Sequence, residues 1–260
     1  MVKHSSRILL NQAALKNNIN FIRKKTGPNV RFSSVVKANA YGHGIHQFVP
    51  MAEACGVRHF SVASAFEAEE VLESVTKDSG IMIMGILYED DIPWAIENGI
   101  EFYVYNLDRL PKTLEAAKKI GKKALIHLEV ETGANRTGLQ ADEFPEALSF
   151  MKEHRDHLTF EGLCTHFGGA ESLSNQFKIE RQHACYKKFL KQCKAKNYMP
   201  NYRHIACSAA ALAMKDTVYD MVRVGVAQYG FWPSPDIYQL HLQEVDKTFD
   251  KPLRRIFTWK

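Results

Sequence analysis

The sequence predicts an α/β fold, a (β/α)₈ TIM-type barrel, on three observations. Short β-rich runs alternate with longer segments of helix-forming composition, an alternation that leads to parallel strand pairing. The runs number eight, the count that closes such a barrel, and the chain has 260 residues, close to the usual size. An open doubly wound sheet would ordinarily show a Gly-rich phosphate turn after an early strand. The turn here is Lys37-Ala38-Asn39-Ala40-Tyr41-Gly42-His43-Gly44, which is not a GxGxxG.

In chain order, Asn11 is placed to cap a first helix whose Leu15, Ile19 and Ile22 share one face. Strands are read near 31–36, 58–63, 80–84, 101–105, 123–130, 159–165, 203–206 and 221–229. Between them, 65–76, 107–119, 142–154 and 174–197 have helical composition. After about 231 the alternation breaks. Pro233, Pro235 and Pro252 punctuate a polar connection, and Phe257-Thr258-Trp259-Lys260 is β-prone. The domain reading is a barrel over 1–231, with 232–260 a connection into a truncated C-terminal β-domain.

Composition excludes several classes. Apolar content of 45% and charged content of 24% are ordinary for a globular protein. The net charge of +5 is spread over clusters such as Lys118-Lys119 that alternate with acids, which reads as solvated helix faces rather than a nucleic-acid surface. Five cysteines (Cys55, Cys164, Cys185, Cys193, Cys207) include no CxxC pair, which argues against a disulfide framework or structural zinc and for a reducing, cytoplasmic setting. No signal peptide or membrane-spanning run is read, and no metal-ligand set.

Catalytic groups of such a barrel gather at the C-terminal ends of the strands. Lys37 follows the first strand, Glu131 to Arg136 the fifth, His166 the sixth and Ser208 the seventh. Arg223, followed by Gly225, lies on the eighth. Each alone reads as an ordinary solvated or packed side chain. Together, two arginines and a lysine at one mouth suggest an anionic ligand, and the loops after strands seven and eight are the usual phosphate site.

The residues also resemble a known family. Val35-Val36-Lys37-Ala38-Asn39-Ala40-Tyr41-Gly42-His43-Gly44 is similar to the pyridoxal-phosphate (PLP) lysine signature of alanine racemases, fold-type III PLP enzymes. Glu131–Gly138 resembles the family's substrate-arginine loop, Thr165-His166-Phe167 its histidine segment, Cys207-Ser208-Ala209-Ala210 its serine segment and Val222–Gly230 its pyridine-arginine strand. The resemblance runs from about residue 7 onward. It implies Lys37 as the residue that bonds the cofactor and as one of two proton-transfer bases. It implies Tyr41, Ser208, Gly225 and Val226 around the cofactor phosphate, and Arg223 facing the pyridine nitrogen, oriented by His166. It implies Arg136 holding the substrate carboxylate or cofactor phenolate, with Ala134 bordering the substrate pocket. An arginine opposite the ring nitrogen cannot give up its proton, which weakens the electron sink and favours racemisation over transamination.

The sequence departs from the family pattern in four ways. Glu129 stands where several relatives have a lysine that can be carbamylated, and is expected to supply the same negative charge near Arg136. Cys207 replaces a common asparagine, and Ala134 a common methionine. The family's C-terminal β-domain, which supplies the second base as a tyrosine across a dimer interface, is not reached. Racemisation needs a base on each face, so the expectation is a PLP-binding fragment of an alanine racemase, homodimeric at full length, with weak or no turnover by itself. Serine or broad specificity stands beside alanine as substrate. The alternatives are a PLP-carrier barrel, a lyase, aldolase or decarboxylase on the same barrel, and a plain phosphate-binding barrel.

Overall fold

The structure, a computed structural model, describes residues 6–260. Strand β1 (Ile8–Leu10) leads into helix α1 (Gln12–Thr26). The barrel strands follow: β2 (Arg31–Val35), β3 (His59–Val62), β4 (Gly80–Ile83), β5 (Glu101–Val104), β6 (Ala124–Glu129), β7 (Leu158–Cys164), β8 (Tyr202–His204) and β9 (Met221–Val224). All pair in parallel, in sequential order from β2 to β8, with β9 returning to β2 in the register Ser33 to Arg223. The seam between β8 and β9 is closed by Asp220 N–H to Arg203 O and Arg223 N–H to Ala206 O, both 3.0 Å. The strand readings thus hold, except that β9 stops at Val224. There the Gly225 N–H leaves the sheet direction to donate to Ser208 Oγ, and 226–230 curls into turns.

The connecting helices are α2 (Lys37–Tyr41), α3 (Ile45–Ala54), α4 (Ala65–Ser74), α5 (Ile92–Glu97), α6 (Arg109–Ile120), α7 (Phe144–Glu153), α8 (Gln176–Ala195) and α9 (Ser208–Ala213), followed by α10 (Pro235–Glu244). Helix α1 forms as its sequence dictates. Asn11 Oδ1 accepts from Ala14 N–H at 2.9 Å, satisfying a donor that the helix cannot. Leu15, Ile19 and Ile22 are fully buried. Helices α3, α5, α9 and α10 were not legible in the pattern. Pro50 lies inside α3, α5 and α9 are only six residues each, and α10 begins where the prolines suggested a connection. In α10, Ser234 caps and Pro235 takes the first turn, a position where a missing N–H costs nothing. The run at 257–259 becomes β10 (Phe257–Trp259), paired antiparallel with β1 beside the barrel.

The main core lies between the outer faces of the strands and the helices, where Phe60, Phe102, Ile126 and Leu128 are at most 1% exposed. The lumen carries a much smaller apolar cluster of Met82, Tyr103, Cys164 and Met221. Its polar members include Ser33, His59, Ser61, Glu101, His127 and His204, all buried.

Candidate active site

At the C-terminal ends of the strands a cavity of about 500 Å³ opens, lined in part by Lys37, Tyr41, Glu129, Arg136, His166, Ser208, Arg223, Gly225 and Val226. These residues come from five different strand ends, nearly two hundred positions apart in sequence, and converge because parallel strands all end on one face.

Lys37 begins α2, which is a left-handed turn: Ala38, Asn39, Ala40 and Tyr41 all have φ between 51° and 55°. None is glycine, and each such residue costs about 1–2 kcal/mol. The neighbours over-determine the turn. Ser64 caps α4 through Glu67 N–H, and Glu67, three residues on, reaches back with Oε2 to Ala63 N–H (2.7 Å) and with Oε1 to Ala38 N–H (2.6 Å). Asn39 Oδ1 accepts from Ile45 N–H at 2.8 Å. Strain held this firmly is of the kind that clusters at active sites and ligand clamps. The turn presents Lys37 to the mouth with no ion pair or hydrogen-bond partner among the described residues.

Across the mouth, Ser208 Oγ accepts from Gly225 N–H (3.0 Å) and lies 3.5 Å from Ala227 N. The intervening Val226 N–H has no protein acceptor among the described residues, nor does the Tyr41 hydroxyl. A Cβ on Gly225 would meet the Tyr41 hydroxyl at 2.6 Å, so only glycine lets the phenol and the chain approach. Together these donors make a concavity that can accept an anionic group.

Arg223 forms the floor and is 5% exposed. Its Nη1 donates to His204 Nδ1 (2.6 Å) and His204 O (2.9 Å). Its Nη2 donates to Thr165 O (2.8 Å) and, more weakly, Ile205 O (3.5 Å). A guanidinium has five N–H groups, so Nε–H is the one left without a protein acceptor. The expectation that His166 orients Arg223 is therefore corrected. No hydrogen bond joins them, and His204, a strand residue given no role from sequence, takes that place because β8 and β9 are neighbours across the seam.

His166 faces the cavity, its pKa lowered from 6.5 to about 3 by burial and then by the Arg223, Arg136 and Lys37 charges, so its imidazole is neutral. Arg136 is on the rim, its side chain 61% exposed, with Nη2 3.8 Å from Glu129 Oε1. Glu129 is buried, and Oε2 accepts from Thr137 Oγ1 at 2.8 Å. Burial pushes the Glu129 pKa up, against the pull of Thr137, Arg136 and Arg223. Ala134 is not part of the lining; it packs beside Gly168 in the loop behind Arg136. Tyr103, also without a foreseen role, lines the cavity with a buried hydroxyl that has no partner.

Fold and mouth define a class: an α/β barrel with a lysine, an anion cup and a buried arginine at its C-terminal face. The chain matches the family described as "Alanine racemase, N-terminal domain" over residues 10–233. It is 33% identical over 231 residues to an alanine racemase of Listeria monocytogenes, covering 88% of this chain and 60% of that protein. It is 31% identical over 245 residues to one of Methanococcus maripaludis, covering 92% and 64%. The structure of alanine racemase from Streptomyces coelicolor A3(2) superposes with a TM-score of 0.87 at 26% identity, covering 98% of this chain and 65% of that one. This chain therefore belongs to the alanine racemase N-terminal domain family, and it spans about 60% of the Listeria relative's length.

Proposed function

We propose that this chain is the PLP-binding barrel of an amino-acid racemase that interconverts L- and D-alanine. One observation carries the reading: an unpaired lysine faces a cavity whose opposite wall is a set of unsatisfied donors and whose floor is a buried arginine with one N–H free. These residues fit PLP. Val226 N–H, the Ser208 hydroxyl and the Tyr41 hydroxyl would hold the phosphate, Arg223 Nε–H the ring nitrogen, and Lys37 the aldehyde carbon. When bound, PLP supplies an electron-withdrawing ring that acidifies the α-carbon of an attached amino acid.

The chain's own residues do the rest. Lys37 Nζ takes and returns the α-proton on one face. Arg223 stays protonated, since arginine does not deprotonate in proteins, and so leaves the ring nitrogen without a proton. Neutral His166 adds no competing charge. Arg136 offers a planar fork to the substrate carboxylate, with Glu129 behind it. Proton delivery to the other face needs a second base. We assign that base to the racemase architecture beyond residues 1–231, with 232–260 the connection into a β-domain, and to a homodimer.

The test is PLP titration of the purified chain, borohydride trapping and mass spectrometry, for wild type and Lys37→Ala, with D-alanine formation assayed on the same samples. The reading expects a trapped adduct on Lys37 that the variant lacks. An absent adduct would sink it. Adduct with fast turnover would place a second base within these residues; adduct without turnover fits a barrel that awaits its second base.

A further inference from the structure

Barrels of this kind normally fill the lumen with layers of bulky branched apolar side chains. Here a continuous polar chain runs through it from the cavity floor. Arg223 Nη1 lies 2.6 Å from His204 Nδ1. His204 Nε2 is 2.8 Å from His127 Nδ1, and His127 Nε2 is 2.8 Å from Glu101 Oε2. The same oxygen is 3.0 Å from His59 Nε2, whose Nδ1 is 2.8 Å from Ser33 Oγ, and Ser33 bonds Ser61 in turn. His59, Glu101, His127 and His204 are each at most 4% exposed.

The protons in this chain have one consistent assignment. A guanidinium only donates, so His204 Nδ1 is bare and its proton sits on Nε2. That N–H points at His127 Nδ1, which must be bare as well, leaving the His127 proton on Nε2 toward Glu101. An ionised carboxylate only accepts, so every contact from Arg223 to Glu101 has one donor and one acceptor, with both imidazoles neutral. Reversing either ring would set two N–H groups head to head. The strands make room for these rings. A Cβ on Gly162 would lie 1.9 Å from His127 Nδ1, and one on Gly80 would lie 2.8 Å from His59 Cδ2.

Stability alone does not account for such a chain. Buried charge networks replaced by apolar side chains of similar volume are often as stable or more so. What the chain does supply is direction. We propose that Glu101 and His127 are positioning residues for Arg223: they present a bare acceptor to His204 Nε2–H, fix the His204 ring in place with its bare Nδ1 toward the guanidinium, and so hold Arg223 in the orientation it has at the mouth. The consequence for a cofactor ring rests on the proposed PLP function; the proton arrangement does not.

The test has two arms. In the first, the wild-type chain without PLP is labelled with ¹⁵N-histidine, and ring tautomers are read by NMR. His204 and His127 are expected as neutral Nε2–H forms. A proton on Nδ1 of either overturns the proposal, whatever the protein does with PLP. In the second, Glu101→Gln and Gly162→Ala are compared with wild type in the same spectra and in PLP titrations. The amide of Gln can donate, and the new methyl displaces His127, so His204 loses a fixed acceptor for its Nε2–H and its ring resonances are expected to shift. PLP affinity should fall about tenfold, the scale of losing an outer partner of a ligand-holding side chain. Unchanged His204 resonances with unchanged affinity in folded variants overturn the proposal. A wild-type chain that binds no PLP would instead refute the functional reading and leave the first arm to decide this one.

Discussion

Along β5, Phe102 and Val104 point outward into the core between sheet and helices, while Glu101 and Tyr103 point into the lumen. The two faces of one strand are built on opposite rules. Outside, apolar burial is non-directional and roughly proportional to area, so packing there supplies stability and tolerates any well-fitting hydrophobe. Inside, buried donors and acceptors must be matched one to one, so the lumen specifies orientation. The difference teaches where a barrel of this type keeps its stability and where it keeps the precision of its mouth.

Variants can break or sharpen that comparison. The largest effect is expected outside: Phe144→Ala empties a fully buried site against Phe189, ring centroids 5.0 Å apart, and should cost roughly 3–5 kcal/mol. Chemical denaturation checks this, with ligand affinity unchanged under conditions where the variant is folded. Inside, Glu101→Leu alone strands two imidazoles and should cost about 3 kcal/mol. Replacing His59, Glu101 and His127 together by Leu should cost less than the single change, because one buried N–H, that of His204, is left unpaired in place of two imidazoles. A triple variant less stable than the single one would mean that the lumen is structural after all.

The next effect is in pH. His166 has its pKa depressed to about 3 from 6.5, so folding favours the neutral form. Its contribution is fully present above pH 6.5 and is lost as pH falls toward 3. His204 shifts in the same direction, mainly through burial and then Arg223. Thermal midpoints between pH 7 and 4 should therefore fall less steeply in His166→Gln than in wild type; parallel curves would contradict the neutral assignment. The smallest effect concerns the rim. Glu129→Gln removes the carboxylate charge beside a mostly exposed arginine, a pair of modest strength, and on the proposed function should weaken alanine binding to the PLP-loaded chain, read by spectral titration, about twofold to fivefold with PLP affinity unchanged. Unchanged alanine binding would separate Glu129 from the substrate.

Much of the mouth was legible from local signals. Lys37, Arg136, His166, Ser208 and Arg223 could be placed because each follows or, for Arg223, lies on a β-rich run, and parallel strands bring their ends together. The Ser64-x-x-Glu67 cap was also visible in principle, as a capping pattern before an apolar run. That Glu67 also braces Ala38, 29 residues away, was not. His59, Glu101, His127 and His204 sat on read strands, and polar residues inside strands expected to be buried were the signal for a lumen network. Which histidine meets Arg223 was not legible: the resemblance implied His166, and only the seam between β8 and β9 sets His204 beside the guanidinium.

The sequence by itself determined the alternation of strands and helices, the α1 cap and the set of polar groups at the strand ends, because these depend on residues within a few positions of one another. The tertiary structure alone decided the left-handed turn at Lys37, the pairing of His204 with Arg223 and the single direction of the chain to Glu101. The turn needs α4 packed where Glu67 reaches Ala38, and the His204–Arg223 pairing needs the barrel closed, which sets β9 beside β2 and β8. A buried donor takes the acceptor that closure leaves within reach, and no local pattern encodes which one that is.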